Sequence, residues 1–145
     1  MNQIRPWLHI GKYAETKSYP LLKQEGITAM FLLAEPVSYP DIDSVYLAVE
    51  DGEPLPIDKI EQGIAILKQQ HATGETILVA CGAGISRSAT YCILALKEIE
   101  GVDLFEAFRQ IKAVHPGALP HKDLWESICA YYGESIHWIK ILRDA

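Results

Sequence analysis

Hydrophobic and polar residues follow two kinds of pattern along this chain. Short apolar runs at residues 7–10, 27–33, 45–49 and 76–80 predict four β-strands. The run at 27–33 is almost continuously apolar, as expected of a strand that is covered on both faces. The run at 7–10 is short, alternates weakly and ends at Gly11, which indicates an edge strand.

Apolar residues at helical spacing predict helices between and after these runs. Pro56 opens a helix that ends at Gly74, and another runs from Ser88 to Gly101. Asp103 and Glu106 are spaced like a reciprocal capping pair at the start of a third helix. The stretch before Gly26 is partly helical, and further helices are predicted near 121–132 and 135–143. The apolar faces of the first two helices consist of Ile60, Ile64, Leu67 and His71, and of Ala89, Cys92, Ile93, Leu96 and Ile99.

Strands that alternate with helices predict an α/β fold. The expected architecture is a central, mostly parallel sheet of four to five strands, flanked by helices, with a helical C-terminal half. The length of 145 residues fits a single domain over residues 1–145, and the chain has neither an internal repeat nor a linker.

Composition and charge narrow the possible functions. The net charge is −6, and no cluster of lysine or arginine is present, which argues against nucleic acid or an acidic membrane as partner. The apolar runs are too short to span a membrane. Cysteines at 81, 92 and 129 suggest neither a disulfide framework nor a metal site. We therefore expect a reduced, cytoplasmic monomer without metal or cofactor.

The candidate chemistry lies where the fourth predicted strand ends. Cys81 is followed by a loop of mostly glycine and other small residues, Gly82-Ala83-Gly84-Ile85-Ser86. Arg87 and Ser88 come next, at the start of a helix. Successive N–H groups of such a loop can turn inward and, with the helix N-terminus, bind an anion. Arg87 can add two donors, and this positive environment would lower the pKa of Cys81.

The spacing Cys81-x5-Arg87 followed by Ser88 resembles the signature of the protein tyrosine phosphatase superfamily, and residues 44–132 resemble its dual-specificity branch. The resemblance implies that Cys81 attacks phosphorus and forms a phosphocysteine. Arg87 and the N–H groups of residues 82–87 would bind the phosphoryl oxygens, and Ser88 would assist the departing thiolate. It also implies phosphotyrosine and phosphoserine or phosphothreonine of proteins, or a small phosphomonoester, as substrate.

Asp51 is the general acid that this resemblance implies. It lies in the string Val49-Glu50-Asp51-Gly52, in the loop after a predicted strand. Asp51 would protonate the departing oxygen and then activate water. Glu50 and Glu53 are weaker candidates for the same role.

One departure from the family pattern bears on activity. The family usually has a histidine before the cysteine, where this chain has Ala80. That histidine supports the loop and the thiolate, so the alternative to an active phosphatase is a catalytically impaired phosphate-binding relative.

Other interpretations of the loop glycines, and functional roles for the remaining cysteines, histidines and aromatic residues, are less well supported. Gly82 and Gly84 could begin a dinucleotide-binding turn, but the third glycine of that motif would have to stand where Arg87 does. The remaining cysteines, four histidines and three aromatic residues are expected to be structural, whether in the core or at the surface. They are Cys92, Cys129, His71, His115, His121, His137, Trp125, Tyr131 and Tyr132.

Overall fold

A five-stranded sheet lies at the centre of the computed structural model, which describes residues 1–144. Its order is β1-β2-β5-β3-β4, and every neighbouring pair is parallel except β1 and β2. This confirms the predicted α/β fold with a mostly parallel sheet. The strands are β1 (Asn2–Arg5), β2 (Leu8–Lys12), β3 (Ala29–Leu32), β4 (Asp43–Tyr46) and β5 (Ile77–Cys81).

Seven helices are formed by the described residues, and four of them follow the last strand. They are α1 (Tyr13–Thr16), α2 (Tyr19–Gln24), α3 (Ile57–Ala72), α4 (Arg87–Glu100), α5 (Leu104–Val114), α6 (Lys122–Tyr131) and α7 (Trp138–Asp144). The C-terminal half is therefore helical, as the periodicity predicted.

Strand β5 divides the core into two apolar clusters. Its residues alternate between the faces, so that Val79 and Cys81 belong to the larger cluster and Leu78 and Ala80 to the smaller one. The larger cluster also takes apolar side chains from α3, α4, α5 and α6. Because all five residues of β5 are buried, the strand holds Cys81 at a fixed position at the end of the sheet.

The N-terminal edge of the sheet differs from the prediction. Strand β2 was expected at the edge, but it lies between β1 and β5. The edge is β1, which the hydrophobic pattern missed because only Ile4 of its four residues is buried. An edge strand with one solvated face can be formed from mostly polar residues. Its sequence therefore does not differ from that of a polar loop.

Three local expectations also need correction. Strand β4 spans Asp43–Tyr46 and not residues 45–49. The capping pair is only half formed: the Asp103 side chain accepts a hydrogen bond from the Glu106 N–H, while the Glu106 carboxylate accepts one from Gln110. On α3, His71 lies half-buried against the edge of the Trp7 ring, and Gln70 is the buried neighbour.

The cysteines and aromatic residues expected to be structural divide into two groups. Cys92, Cys129 and Trp125 lie in the core, as predicted. Tyr131 and Tyr132 are half-buried at its margin, where their rings meet edge-on.

Candidate active site

The loop of residues 82–86 joins the carboxyl end of β5 to the N-terminus of α4. Cys81, at its start, is only 3% exposed. Gly84 has a φ of +70°, and a Cβ atom at this position would lie 2.9 Å from the Gly11 carbonyl oxygen. A side chain at residue 84 would therefore strain the backbone and push the loop away from β2.

The loop presents unpaired backbone donors. Among residues 1–144, no backbone N–H group of residues 82–87 donates to a protein acceptor. Ser86 is the N-cap of α4, yet its side chain caps none of the helix N–H groups. Unpaired N–H groups and the positive end of a helix dipole together form an anion-binding site.

Arg87 adds side-chain donors to the same loop. Its Nη1 atom donates to the Val49 carbonyl oxygen at 3.0 Å. Its Nε atom is buried and has no partner among the described residues. A Cβ atom on Gly82 would lie 3.0 Å from Nη2, so the guanidinium lies against the loop. A buried, unpartnered Nε–H is costly unless an anion accepts from it.

Cys81 and Ser88 are in direct contact. The Cys81 Sγ and Ser88 Oγ atoms are 3.2 Å apart, and Ser88 is fully buried. A hydroxyl in this position can donate to a thiolate, which stabilises the charged form of the cysteine.

Asp51 reaches the loop through Ser86. The Ser86 hydroxyl donates to Asp51 Oδ1 at 2.9 Å, and the Gly52 N–H donates to the same oxygen at 3.1 Å. The structure thus brings Cys81, Arg87 and Asp51 together around one loop, although Asp51 lies 30 residues before Cys81 (81 − 51 = 30). Glu50 and Glu53 are exposed, and neither carboxylate has a hydrogen bond to the loop among the described residues.

The other two cysteines differ chemically from a reactive thiol. Burial raises the pKa of Cys92 well above that of an ordinary thiol. Burial also raises the pKa of Cys129 to about 11. Both groups therefore remain protonated at neutral pH, which fits the packing role expected of them.

His115 contacts the loop of residues 82–86, which the sequence did not predict. Its Nε2 atom lies 2.7 Å from the Gly84 carbonyl oxygen, and its Nδ1 atom lies 2.7 Å from Asn2 Nδ2. If Asn2 donates to Nδ1, the ring carries its proton on Nε2 and donates it to the loop. No local signal predicts this contact, because the three residues are distant in sequence and meet only in the folded chain.

Ala80 does not face the loop. Its side chain belongs to the smaller apolar cluster, on the opposite face of the sheet from Cys81. The hydrogen bond that reaches the loop carbonyl at Gly84 comes instead from His115, after α5.

The described residues offer neither a metal cluster nor a membrane-spanning helix. Within residues 1–144, no group of three or more histidine, cysteine or acidic side chains is placed to hold a metal ion. In the same part of the chain, no helix combines the length and the apolar character needed to cross a membrane.

The sequence matches a known protein family. Residues 8–134 match the family described as dual specificity phosphatase, catalytic domain. The chain belongs to this family. It is accordingly a cysteine-based protein phosphatase by family, which confirms the resemblance carried by Cys81, Arg87 and Ser88.

Individual relatives agree with this assignment. The human protein named dual specificity protein phosphatase 14 is 31% identical over 136 residues, which covers 89% of this chain and 67% of the relative. A solved structure of a mouse putative dual specificity phosphatase, complexed with zinc tungstate, is 26% identical with a TM-score of 0.83 and covers 90% of this chain and 84% of that one. Human DUSP28, at 23% identity, has the same fold with a TM-score of 0.83, covering 92% and 96% of the two chains.

Proposed function

We propose that this protein hydrolyses phosphomonoesters of phosphoproteins, on phosphotyrosine and on phosphoserine or phosphothreonine, through a phosphocysteine intermediate. The observation that carries the proposal is the set of unpaired donors around Cys81: the N–H groups of residues 82–87 and the buried Nε of Arg87. These donors suit the equatorial oxygens of a phosphoryl group that is being transferred.

In the first step, the Cys81 thiolate attacks phosphorus. The S–P bond forms while the P–O bond to the substrate breaks, and the departing oxygen takes a proton from Asp51. The loop donors stabilise the charge on the equatorial oxygens throughout this step.

In the second step, the Asp51 carboxylate takes a proton from water as the water oxygen attacks phosphorus. The S–P bond breaks, and inorganic phosphate and the thiolate are released. Ser88, 3.2 Å from Cys81 Sγ, would donate a hydrogen bond to this thiolate as it departs.

The substrate class is tested with a panel of purified substrates. Phosphotyrosine, phosphoserine and phosphothreonine peptides are compared with inositol phosphates and RNA 5′-triphosphates, and Cys81→Ser is the inactive control. We expect hydrolysis of the peptides, with no metal ion required. A clear preference for either of the other two classes would overturn the proposal. Binding of vanadate without any hydrolysis would favour the impaired phosphate-binding relative.

The role of Asp51 gives a sharper prediction. Asp51→Asn should slow hydrolysis of alkyl phosphates, which are poor leaving groups, by ~10²–10⁴, the usual range for general acid catalysis. Aryl phosphates with acidic phenols leave without a proton and should be slowed much less. Steady-state rates on a series of leaving groups measure the difference. An equal loss across the series would assign the proton to another group, of which Glu53 is the next candidate.

We also infer that residues 1–145 form one catalytic domain that acts as a monomer in the cytoplasm. The chain forms one sheet, and elements from β1 to α7 contribute to one large apolar cluster. Both observations support a single domain. The described cysteines, all of them free thiols, support a reducing location. Sedimentation of the purified chain tests the oligomeric state.

A further inference from the structure

We propose that Ser86 is the positioning residue of the general acid: its hydroxyl anchors one oxygen of Asp51 so that the other carries the proton to the leaving group. This inference rests on the proposed function. It gives Ser86 a role beyond the backbone N–H that it contributes to the phosphate-binding loop.

The Ser86 side chain is turned away from its usual partner. A serine at an N-cap normally accepts a hydrogen bond from an N–H group in the first turn of its helix. Ser86 occupies the N-cap of α4 but makes no such bond. Its hydroxyl therefore leaves the α4 N–H groups unpaired for an anion and is itself available for another contact.

The hydroxyl has a fixed donor and a fixed acceptor. The His121 backbone N–H, at the N-cap of α6, donates to Ser86 Oγ at 2.8 Å. The Ser86 O–H donates in turn to Asp51 Oδ1 at 2.9 Å. Since the His121 N–H group can only donate, the Ser86 oxygen accepts from it and the hydroxyl proton is directed toward Asp51.

The contacts of Asp51 distinguish its two oxygens. Oδ1 accepts from both Ser86 and the Gly52 N–H, whereas Oδ2 accepts no hydrogen bond from the described residues. An oxygen that accepts two hydrogen bonds is a poor site for a proton. The proton of the acid is therefore held on Oδ2, which is the oxygen that gives it to the leaving group and later takes one from water.

The attachment also links the acid to the phosphate site mechanically. Residues 50–53 are exposed, so little packing fixes the position of Asp51. Ser86 is 8% exposed and belongs to the loop that binds the phosphoryl group. Its hydroxyl thus sets the acid relative to the substrate, and a small displacement of a catalytic group can cost much of its effect.

The test is the leaving-group dependence of Ser86→Ala, which keeps the backbone N–H of the loop. We expect kcat on alkyl phosphates to fall about 10- to 100-fold, as for loss of a hydrogen bond to a charged group, with a smaller loss on activated aryl phosphates. KM and the affinity for vanadate should change by less than about 3-fold, since the anion donors of the loop are intact. Ser86→Thr should restore most of the loss, and Ser135→Ala, at an exposed serine, is the matched control.

A double-mutant cycle separates this role from a general effect on the loop. If Ser86 acts through Asp51, then Ser86→Ala should cost little more in an Asp51→Asn background. Additive losses, or a Ser86→Ala variant with wild-type leaving-group dependence, would overturn the inference while leaving an active phosphatase in place. A wild-type protein that hydrolyses no phosphomonoester would instead refute the proposed function, and this proposal with it.

Discussion

At the residue scale, the carbonyl groups of the loop of residues 82–86 contact distant parts of the chain, and one of these contacts comes from a side chain. The His115 ring lies 2.7 Å from the Gly84 carbonyl oxygen and is itself held by Asn2 of the edge strand β1. Gly84 is the position where the backbone turns through a positive φ. A hydrogen bond at this point holds the carbonyl outward, and the loop N–H groups then face the opposite way, toward the proposed phosphate site.

We expect His115→Ala to weaken oxyanion binding and raise KM by ~2- to 10-fold, the effect of losing one neutral hydrogen bond. The leaving-group dependence should stay as in the wild type, because Asp51 is not involved. His115→Gln, which can still donate, should recover part of the affinity. Vanadate competition measures the change, with His137→Ala at an exposed histidine as the control. Wild-type affinity for vanadate in His115→Ala would mean that the contact does not support the loop.

Site residues that are close together in the sequence could be predicted, whereas contacts between distant segments could not. Cys81, Arg87 and Ser88 were predicted because loop, strand end and helix start are continuous in the chain. Asp51 was found only through the resemblance, since a carboxylate in a turn has no distinctive local pattern. The contact of His115 with Gly84 was missed, because it exists only after β1 and the segment following α5 meet at the loop.

At the element scale, the position of α4 depends on its close approach to α3. Gly63 of α3 faces the ring of Tyr91 on α4, and a Cβ atom at residue 63 would overlap that ring. Tyr91 is fully buried, meets Phe31 edge-on and donates its hydroxyl to the Lys59 carbonyl oxygen at 2.9 Å. The apolar periodicity predicted both helices, but a pattern of apolar positions does not indicate that one turn must lack a side chain.

Gly63→Ala should therefore destabilise the protein, although alanine favours helix more than glycine does. The added methyl must displace the Tyr91 ring or separate the helices, and overpacking of this kind typically costs ~1–3 kcal/mol. Urea unfolding measures the free energy of unfolding. Gly117→Ala is the control, since a Cβ atom there meets nothing within 4 Å. Equal or greater stability of Gly63→Ala would show that Tyr91 moves aside without cost.

At the scale of the whole molecule, one buried histidine should lower the free energy of unfolding as the pH falls from 7 to 5. His9 of β2 is 2% exposed, and neither ring nitrogen has a hydrogen-bond partner among the described residues. Burial lowers the pKa of His9, with a further lowering from the N-terminal amine and a partial opposing effect from Glu25. The weak alternation at residues 7–10 makes His9 the polar position of the predicted strand, so the sequence did not indicate that it is buried.

The folded protein consequently binds the His9 proton less readily than the unfolded chain, whose histidine titrates near 6.5. Above that pH both states are neutral at His9, and the residue makes stability neither rise nor fall with pH. As the pH falls below about 6.5, the unfolded state gains a proton first, so the free energy of unfolding should decrease by up to ~1.4 kcal/mol per pH unit. His9→Leu should remove this part of the slope between pH 7 and pH 5, whereas His137→Gln at an exposed histidine should retain it. Urea unfolding at half-unit steps of pH compares the three proteins, and a slope in His9→Leu equal to that of the wild type would show that another group causes the acid sensitivity.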